Sequence, residues 1–255
     1  KNTKIIDLSA DFRLNSSKIY KQNYMNDHSC PELLNNFVYG LTEINNDLLI
    51  DSKYIAVPGC YPTSILLPLI PILKDDLIFP HNIIIDSKSG YSGAGKKFDK
   101  KNISQNNKLN FYNYNTNNHR HICEINQELT KYAKSKVKFS FNPHILPIFR
   151  GMMSTIYCEL NDGITNEDIL DVLLKFYSNA TFVKILSDDS KNDFFSIQNT
   201  NNCIIRLLKQ NDEKKIIITS VIDNLLKGAS GQAVQCMNLM FGFDESIGLE
   251  NFKIL

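Results

Sequence analysis

The chain has 255 residues, 43 % of them hydrophobic and 22 % charged, with a formal net charge of +1. This is the composition of one large globular domain or two smaller ones; it carries no charge field for nucleic acid, and no apolar run approaches the ~18 residues of a membrane span. Six cysteines, Cys30, Cys60, Cys123, Cys158, Cys203 and Cys236, show no C-x-x-C spacing, which argues against zinc and against a disulfide framework and sets a reducing, cytoplasmic setting as the expectation.

In chain order, Ile5-Ile6 read as a strand that ends in the polar turn Asp7 to Leu14. Val38 to Glu43 is a short extended piece. Tyr54 to Val57 is a strand feeding the turn Pro58-Gly59-Cys60, and Pro62 opens the helix that follows, a position that tolerates a missing N–H. Pro68 and Pro71 are expected to kink or end that helix. Asn82 to Asp86 is a buried strand running into Ser89-Gly90-Tyr91-Ser92-Gly93-Ala94-Gly95, and the Asn- and Lys-rich stretch Asp99 to Asn118 reads as an exposed, mobile loop. A helix over Ile125 to Ala133 and strands over Val137 to Phe141 and Gly151 to Leu160 follow. Thr165 caps a helix with Asp168 three residues on, and Ile169, Val172, Leu173, Phe176 and Tyr177 form its apolar stripe. Strands near Thr181 to Leu186, Cys203 to Leu208 and Lys215 to Val221 precede a last helix with Ala229, Ala233, Cys236, Met237 and Met240 on one face. Strands alternating with helices give an α/β or α+β architecture.

Cys60 carries the strongest chemical signal. A thiol at a helix N-terminus meets unpaired amides and the positive end of the helix dipole, which favour thiolate. Lowering its pKa from about 8.5 to about 6.5 would make roughly three quarters of it ionised at pH 7; a buried, inert cysteine is the competing reading. Gly90 and Gly95-Lys96 satisfy part of a phosphate loop, but Lys97 replaces the Ser/Thr that would hold Mg²⁺, leaving a generic anion-cradling turn. His119-Arg120-His121 offers a general base. On a strand His119, His121 and Cys123 would share a face, yet no further ligand of sensible spacing follows, so no metal is expected. Arg13 and Arg150 sit at strand-flanking turns suited to bidentate capture of carboxylate or phosphate, with a solvated surface arginine as the alternative for each.

Seven segments in one order, Asp7-Leu8-Ser9-Ala10-Asp11-Phe12-Arg13, Tyr39-Gly40-Leu41-Thr42-Glu43, Pro58-Gly59-Cys60-Tyr61-Pro62-Thr63, Ser89 to Gly95, His119-Arg120-His121, Arg150-Gly151 and Asp223-Asn224-Leu225-Leu226-Lys227-Gly228-Ala229, make the chain resemble the N-acetyl-gamma-glutamyl-phosphate reductases over nearly its whole length. Cys123 stands where such enzymes often have proline, and Val57 where Asn is common. The resemblance implies an NADPH-dependent reduction of an acyl phosphate in arginine biosynthesis through a thioester on Cys60, with His119 as acid/base and Arg13, His121 and Arg150 on the substrate. Ser89, Gly90, Ser92, Gly93 and Asn224 would meet NADPH/NADP. It also implies a homo-oligomer and two folds: a Rossmann-type nucleotide-binding domain, here lacking its G-x-x-G-x-x-G unit and represented by residues 1–59 and the helix within 222–255, and a glyceraldehyde-phosphate-dehydrogenase-like catalytic domain over 60–221 with a mainly antiparallel sheet. A sister reductase of aspartyl or aminoadipyl phosphate, a cysteine hydrolase using Cys60 and His119, and an inactive fragment are the alternatives.

Overall fold

The computed structural model describes residues 3–97, 104–105, 108–116, 118–186 and 193–250. Strands β1 (Ile5–Asp7), β2 (Phe37–Tyr39) and β3 (Tyr54–Ala56) form a small parallel sheet in the order β1-β3-β2. Parallel strands need crossovers. These are helices α1 (Ser17–Tyr24), whose N-terminus is capped by the Ser16 hydroxyl, and α2 (Thr42–Ile50). Helix α1 has no counterpart among the expected elements, and Thr42-Glu43 open a helix where an extended piece is expected.

Helix α3 (Cys60–Lys74) is buried at every residue from Tyr61 to Leu73, as its all-round apolar composition requires. It continues through Pro68 and Pro71, against the expected break. Pro71 cannot bond the Leu67 carbonyl, and the Tyr177 hydroxyl donates to that carbonyl instead, at 2.5 Å. Tyr177 is buried, so removing the hydroxyl leaves an orphaned acceptor. Tyr177→Phe should therefore cost about 1–3 kcal/mol of stability, read as a lower urea midpoint at constant slope; an unchanged midpoint would show that the carbonyl finds another donor.

The elements after α3 are β4 (Ile83–Gly90), β5 (Ser104–Gln105), β6 (Lys108–Leu109), β7 (Tyr112–Asn113), α4 (His121–Thr130), β8 (Phe139–Leu146), β9 (Met152–Glu159), α5 (Asn166–Phe176), β10 (Val183–Leu186), α6 (Phe194–Ile197), β11 (Cys203–Lys209), β12 (Lys215–Ile222) and α7 (Gly231–Met240). A mixed sheet of order β10-β11-β12-β9-β4-β8-β7 is the centre of the molecule, antiparallel except at β10-β11 and β4-β8. On β4, Ile83, Ile85, Ser87 and Ser89 point to the covered face, where α3 packs against β9, β12 and α5. The capping box of α5 is present, with Thr165 and Asp168 bonded reciprocally. Within the stretch expected as a loop, β5 and β6 pair with each other and β7 joins the sheet, while residues 98–103, 106–107 and 117 lie outside the described residues.

Helix α7 returns to the small sheet, packing on β1 and α2 through Cys236 and Met240. Its buried face is more polar than expected. Gln232, Gln235 and Asn238 are enclosed, whereas Met237 is exposed. Among the described residues no helix is long and apolar enough to cross a membrane.

Candidate active site

The turn from β3 into α3 puts Cys60 at the first helical position, with Gly59 as the cap residue in extended conformation. Cys60 lines a cleft of about 280 Å³ together with Arg13, Ser92, Gly93, His121 and Asn224. Four separate segments thus converge on one thiol. Two of the close approaches leave no room for a side chain. A Cβ on Gly59 would lie 2.5 Å from His121 Nε2, and one on Gly228 would lie 2.7 Å from Cys60 Cβ.

The thiol is not electrostatically primed as the sequence suggested. Burial pushes the Cys60 pKa up to about 11, outweighing the Tyr61 amide and the Arg13 guanidinium, both of which favour thiolate. At that turn Cys60 is half-buried, and burial of a thiol disfavours its ionised form. Because the thiol must lose a proton to react, a pKa near 11 leaves about 10⁻⁴ of it ionised at pH 7. Alkylation of Cys60 by iodoacetamide should then rise roughly tenfold per pH unit from pH 7 to 10. A plateau below pH 8 would contradict this.

His119 and His121 are both buried rather than lying on the surface. His121 opens α4, four residues before the expected start. No side-chain cap of the usual kind marks this end; instead His119 Nδ1 accepts the His121 N–H at 3.1 Å. The rings meet edge to face, 4.8 Å between centroids. Burial holds His121 well below the usual histidine range, reinforced by His119, Arg13 and Arg120, and burial with Arg120 lowers His119 to about 4. Both imidazoles are neutral at pH 7. Only His121 lines the Cys60 cleft; His119 lines the adjoining one with Tyr114, Asn118 and Arg120. The geometry thus sets His121, rather than His119, beside Cys60.

Arg13 is held at the cleft edge, Nε donating to the Val57 carbonyl at 2.7 Å and Nη2 to the Leu8 carbonyl at 2.9 Å. Its Nη1 lies 3.5 Å from Glu124 Oε2. The other oxygen of Glu124 accepts the Tyr39 hydroxyl at 2.7 Å and the Gly59 N–H at 2.9 Å, so one buried carboxylate ties the arginine to the Cys60 turn. Sequence reasoning passed over Glu124, whose signal, an acid in the first turn of a helix, appears only once α4 is known to begin at His121.

Arg150 does not line the cleft. Its Nε lies 2.7 Å from Asp223 Oδ2 and its Nη1 donates to Asn199 Oδ1 at 2.6 Å. Ser89 and Gly90 do not line the cleft either; β4 runs on through Gly90 and buries both. A Cβ on Gly90 would meet the Phe149 carbonyl at 2.6 Å. In the turn after it the Tyr91 and Ser92 amides donate to the Ile148 and Phe149 carbonyls. Ser92 and Gly93 do reach the cleft, and Asn224 donates to Ser92 Oγ at 2.9 Å while accepting the Gly151 N–H at 2.7 Å. Among the described residues no three His, Cys, Asp or Glu side chains are placed to hold a metal.

The sequence profile described as "Semialdehyde dehydrogenase, dimerisation domain" matches residues 60–224. An N-acetyl-gamma-glutamyl-phosphate reductase of Ehrlichia canis is 45% identical over 97% of this chain and 71% of its own length. The chain belongs to the N-acetyl-gamma-glutamyl-phosphate reductase family. A relative from Arabidopsis thaliana, described as a probable chloroplastic N-acetyl-gamma-glutamyl-phosphate reductase, is 44% identical over 96% of the chain and 61% of its own length. Among solved structures, aspartate semialdehyde dehydrogenase II of Vibrio cholerae superposes with a TM-score of 0.64 at 17% identity, over 82% of this chain and 69% of that one. A probable aspartate-semialdehyde dehydrogenase of Pseudomonas aeruginosa gives 0.66 at 13% identity, over 94% and 73%. At such identities the agreement is one of fold, the α/β arrangement with a mixed sheet that the family shares.

Proposed function

We propose that this member of the family reduces N-acetylglutamyl phosphate to the semialdehyde and inorganic phosphate, with NADPH, in arginine biosynthesis. The observation that carries this reading is the meeting of Cys60, His121 and Arg13 in one cleft, in a chain 45% identical to a reductase so named. Cys60 is the nucleophile. Its proton passes to the neutral imidazole of His121, which is beside the turn, as a carbon–sulfur bond forms and the carbon–oxygen bond to phosphate breaks. An anion bound against Arg13 favours this transfer, because it stabilises the imidazolium that results. When bound, NADPH supplies the hydride that reduces the thioester carbon. His121 returns the proton to the sulfur as the aldehyde departs.

The cleft fits a flat ring beside Cys60, since Gly93, Gly228 and Ala229 are small and Leu8 and Pro58 give an apolar wall. Ser92, Gly93 and Asn224 would hold the cofactor there. The division into a nucleotide-binding part, residues 1–59 with 222–255, and a catalytic part, 60–221, belongs to the same proposal and is supported by the packing of α7 on β1 and α2. So does homo-oligomerisation, which the name of the matching family carries, with Ile84 and Tyr157 exposed on the open face of the large sheet. A cytoplasmic setting is in keeping with six free cysteines.

Phosphate-dependent reduction of NADP⁺ should be at least about tenfold faster, as kcat/KM, with N-acetylglutamate semialdehyde than with aspartate semialdehyde. The opposite preference would assign the chain to the sister chemistry.

A further inference from the structure

Two motifs, Tyr39 to Glu43 and Leu226 to Ala229, touch the site through Tyr39, Gly228 and Ala229, and their remaining polar residues meet in the interior. Lys227 has no exposed surface; its Nζ donates to Glu43 Oε1 at 2.5 Å and to Gln235 Oε1 at 2.7 Å. Gln235 Nε2 also donates to Glu43 Oε1, at 3.0 Å, and the Thr42 hydroxyl donates to Glu43 Oε2, at 2.9 Å. Gln232 completes the junction by donating to the Gly40 carbonyl and to Thr42 Oγ1. The Lys227 ion pair holds Glu43 below the usual carboxylate range against its burial. A fully buried ion pair is weak evidence for stability, because apolar residues of similar volume often serve as well. What this pair does fix is a position.

Lys227 lies in a π-helical turn, Leu226–Ser230, between β12 and α7, a widened geometry frequent at functional sites. The next residue is Gly228. Its missing side chain is what lets the turn press on the nucleophile, at 2.7 Å from a would-be Cβ to Cys60 Cβ and 3.2 Å to Cys60 Cα. The far end of the same turn is tied as well, Ser230 donating through its N–H and its hydroxyl to the Leu225 carbonyl. We propose that Lys227, locked onto Glu43, is a positioning residue for the reaction: it sets how closely the Gly228 backbone packs on Cys60, and so where the sulfur faces in the cleft. This rests on Cys60 being the nucleophile.

The test removes both charges together, in Lys227→Met/Glu43→Leu, to avoid leaving one buried and unpaired. Acylation by N-acetylglutamyl phosphate is followed as the mass gain on Cys60, and iodoacetamide labelling is mapped at each cysteine. In a variant that melts cooperatively, the acylation rate should fall roughly 10²-fold, the cost of about 1 Å of misplacement, with the half-saturating substrate concentration within about threefold. Labelling should change at Cys60 while Cys203 and Cys236 stay protected. Should the double variant not fold, Glu43→Gln, which keeps volume and an acceptor for Lys227, carries the test with the same signature at smaller size. Acylation within about threefold of the parent in the folded variant overturns the proposal, and so does a parallel rise in labelling at Cys203 and Cys236, the mark of general loosening. If the unmodified chain itself gains no mass on Cys60, the nucleophile reading fails instead.

Discussion

Replacing His121 by Asn should lower phosphate-dependent turnover by about 10²- to 10⁴-fold, the usual range for losing a general acid/base. His119→Asn should cost only about tenfold in the same assay. The asymmetry follows from placement. His121 lines the Cys60 cleft, and its Nε2 sits so close over Gly59 that a Cβ there would be 2.5 Å away. With a thiol pushed up to about 11, the resting enzyme holds almost no thiolate, so a group that takes the proton during attack is worth more than one that tunes charge from a distance. His119 acts through its neighbour, accepting the His121 N–H and packing edge to face on Tyr61 and Phe141. The pH profile separates the two. In His121→Asn the residual rate should climb with pH toward the thiol's own ionisation, whereas His119→Asn should keep the parent's dependence. Full activity in His121→Asn beside loss in His119→Asn would reverse the assignment.

A single methyl group should do comparable damage at Gly59. The cap residue has φ −69° and ψ 156°, a conformation any residue adopts, so Gly59→Ala introduces no backbone strain. Its Cβ would nonetheless overlap His121 Nε2 and Cε1 at 2.5 and 2.8 Å and stand 3.0 Å from Arg13 Nη1. The imidazole or the whole turn must move. Overpacking of this kind costs about 1–3 kcal/mol of stability, and displacing the proton acceptor by about 1 Å costs roughly 10² in rate. Steady-state kinetics with a thermal melt would show both; unchanged kcat would mean that the ring swings aside without consequence.

The nucleophile turn was legible because its signals are local. Pro-Gly-Cys-Tyr-Pro encodes a strand end, a turn and a first helical residue within a few positions, and the Thr165 capping box is equally self-contained. What could not be read depended on partners distant in sequence. Pro71 stays within a helix because Tyr177 supplies the donor its carbonyl partner needs. The polar face of α7 is buried because Lys227, Glu43 and the Gly40 carbonyl satisfy it. Helix α4 begins at His121 without a capping residue in its usual place, since an imidazole accepts the first amide. Two amides of the glycine loop that look free in sequence, those of Tyr91 and Ser92, are taken by the Ile148 and Phe149 carbonyls of a distant segment. The thiol's pKa failed as an expectation because helix-terminus electrostatics can be read from position, and desolvation cannot.

The most direct measurement is the intact mass of the folded chain after exposure to N-acetylglutamyl phosphate without any nicotinamide, beside Cys60→Ser. Acylation requires only the nucleophile, its proton acceptor and the anion-binding edge, all of which converge in the cleft. A gain of one N-acetylglutamyl group, with release of one phosphate and no gain in the variant, is the predicted result. A folded chain that releases no phosphate and gains no mass, or that gains it equally in Cys60→Ser, would contradict the account.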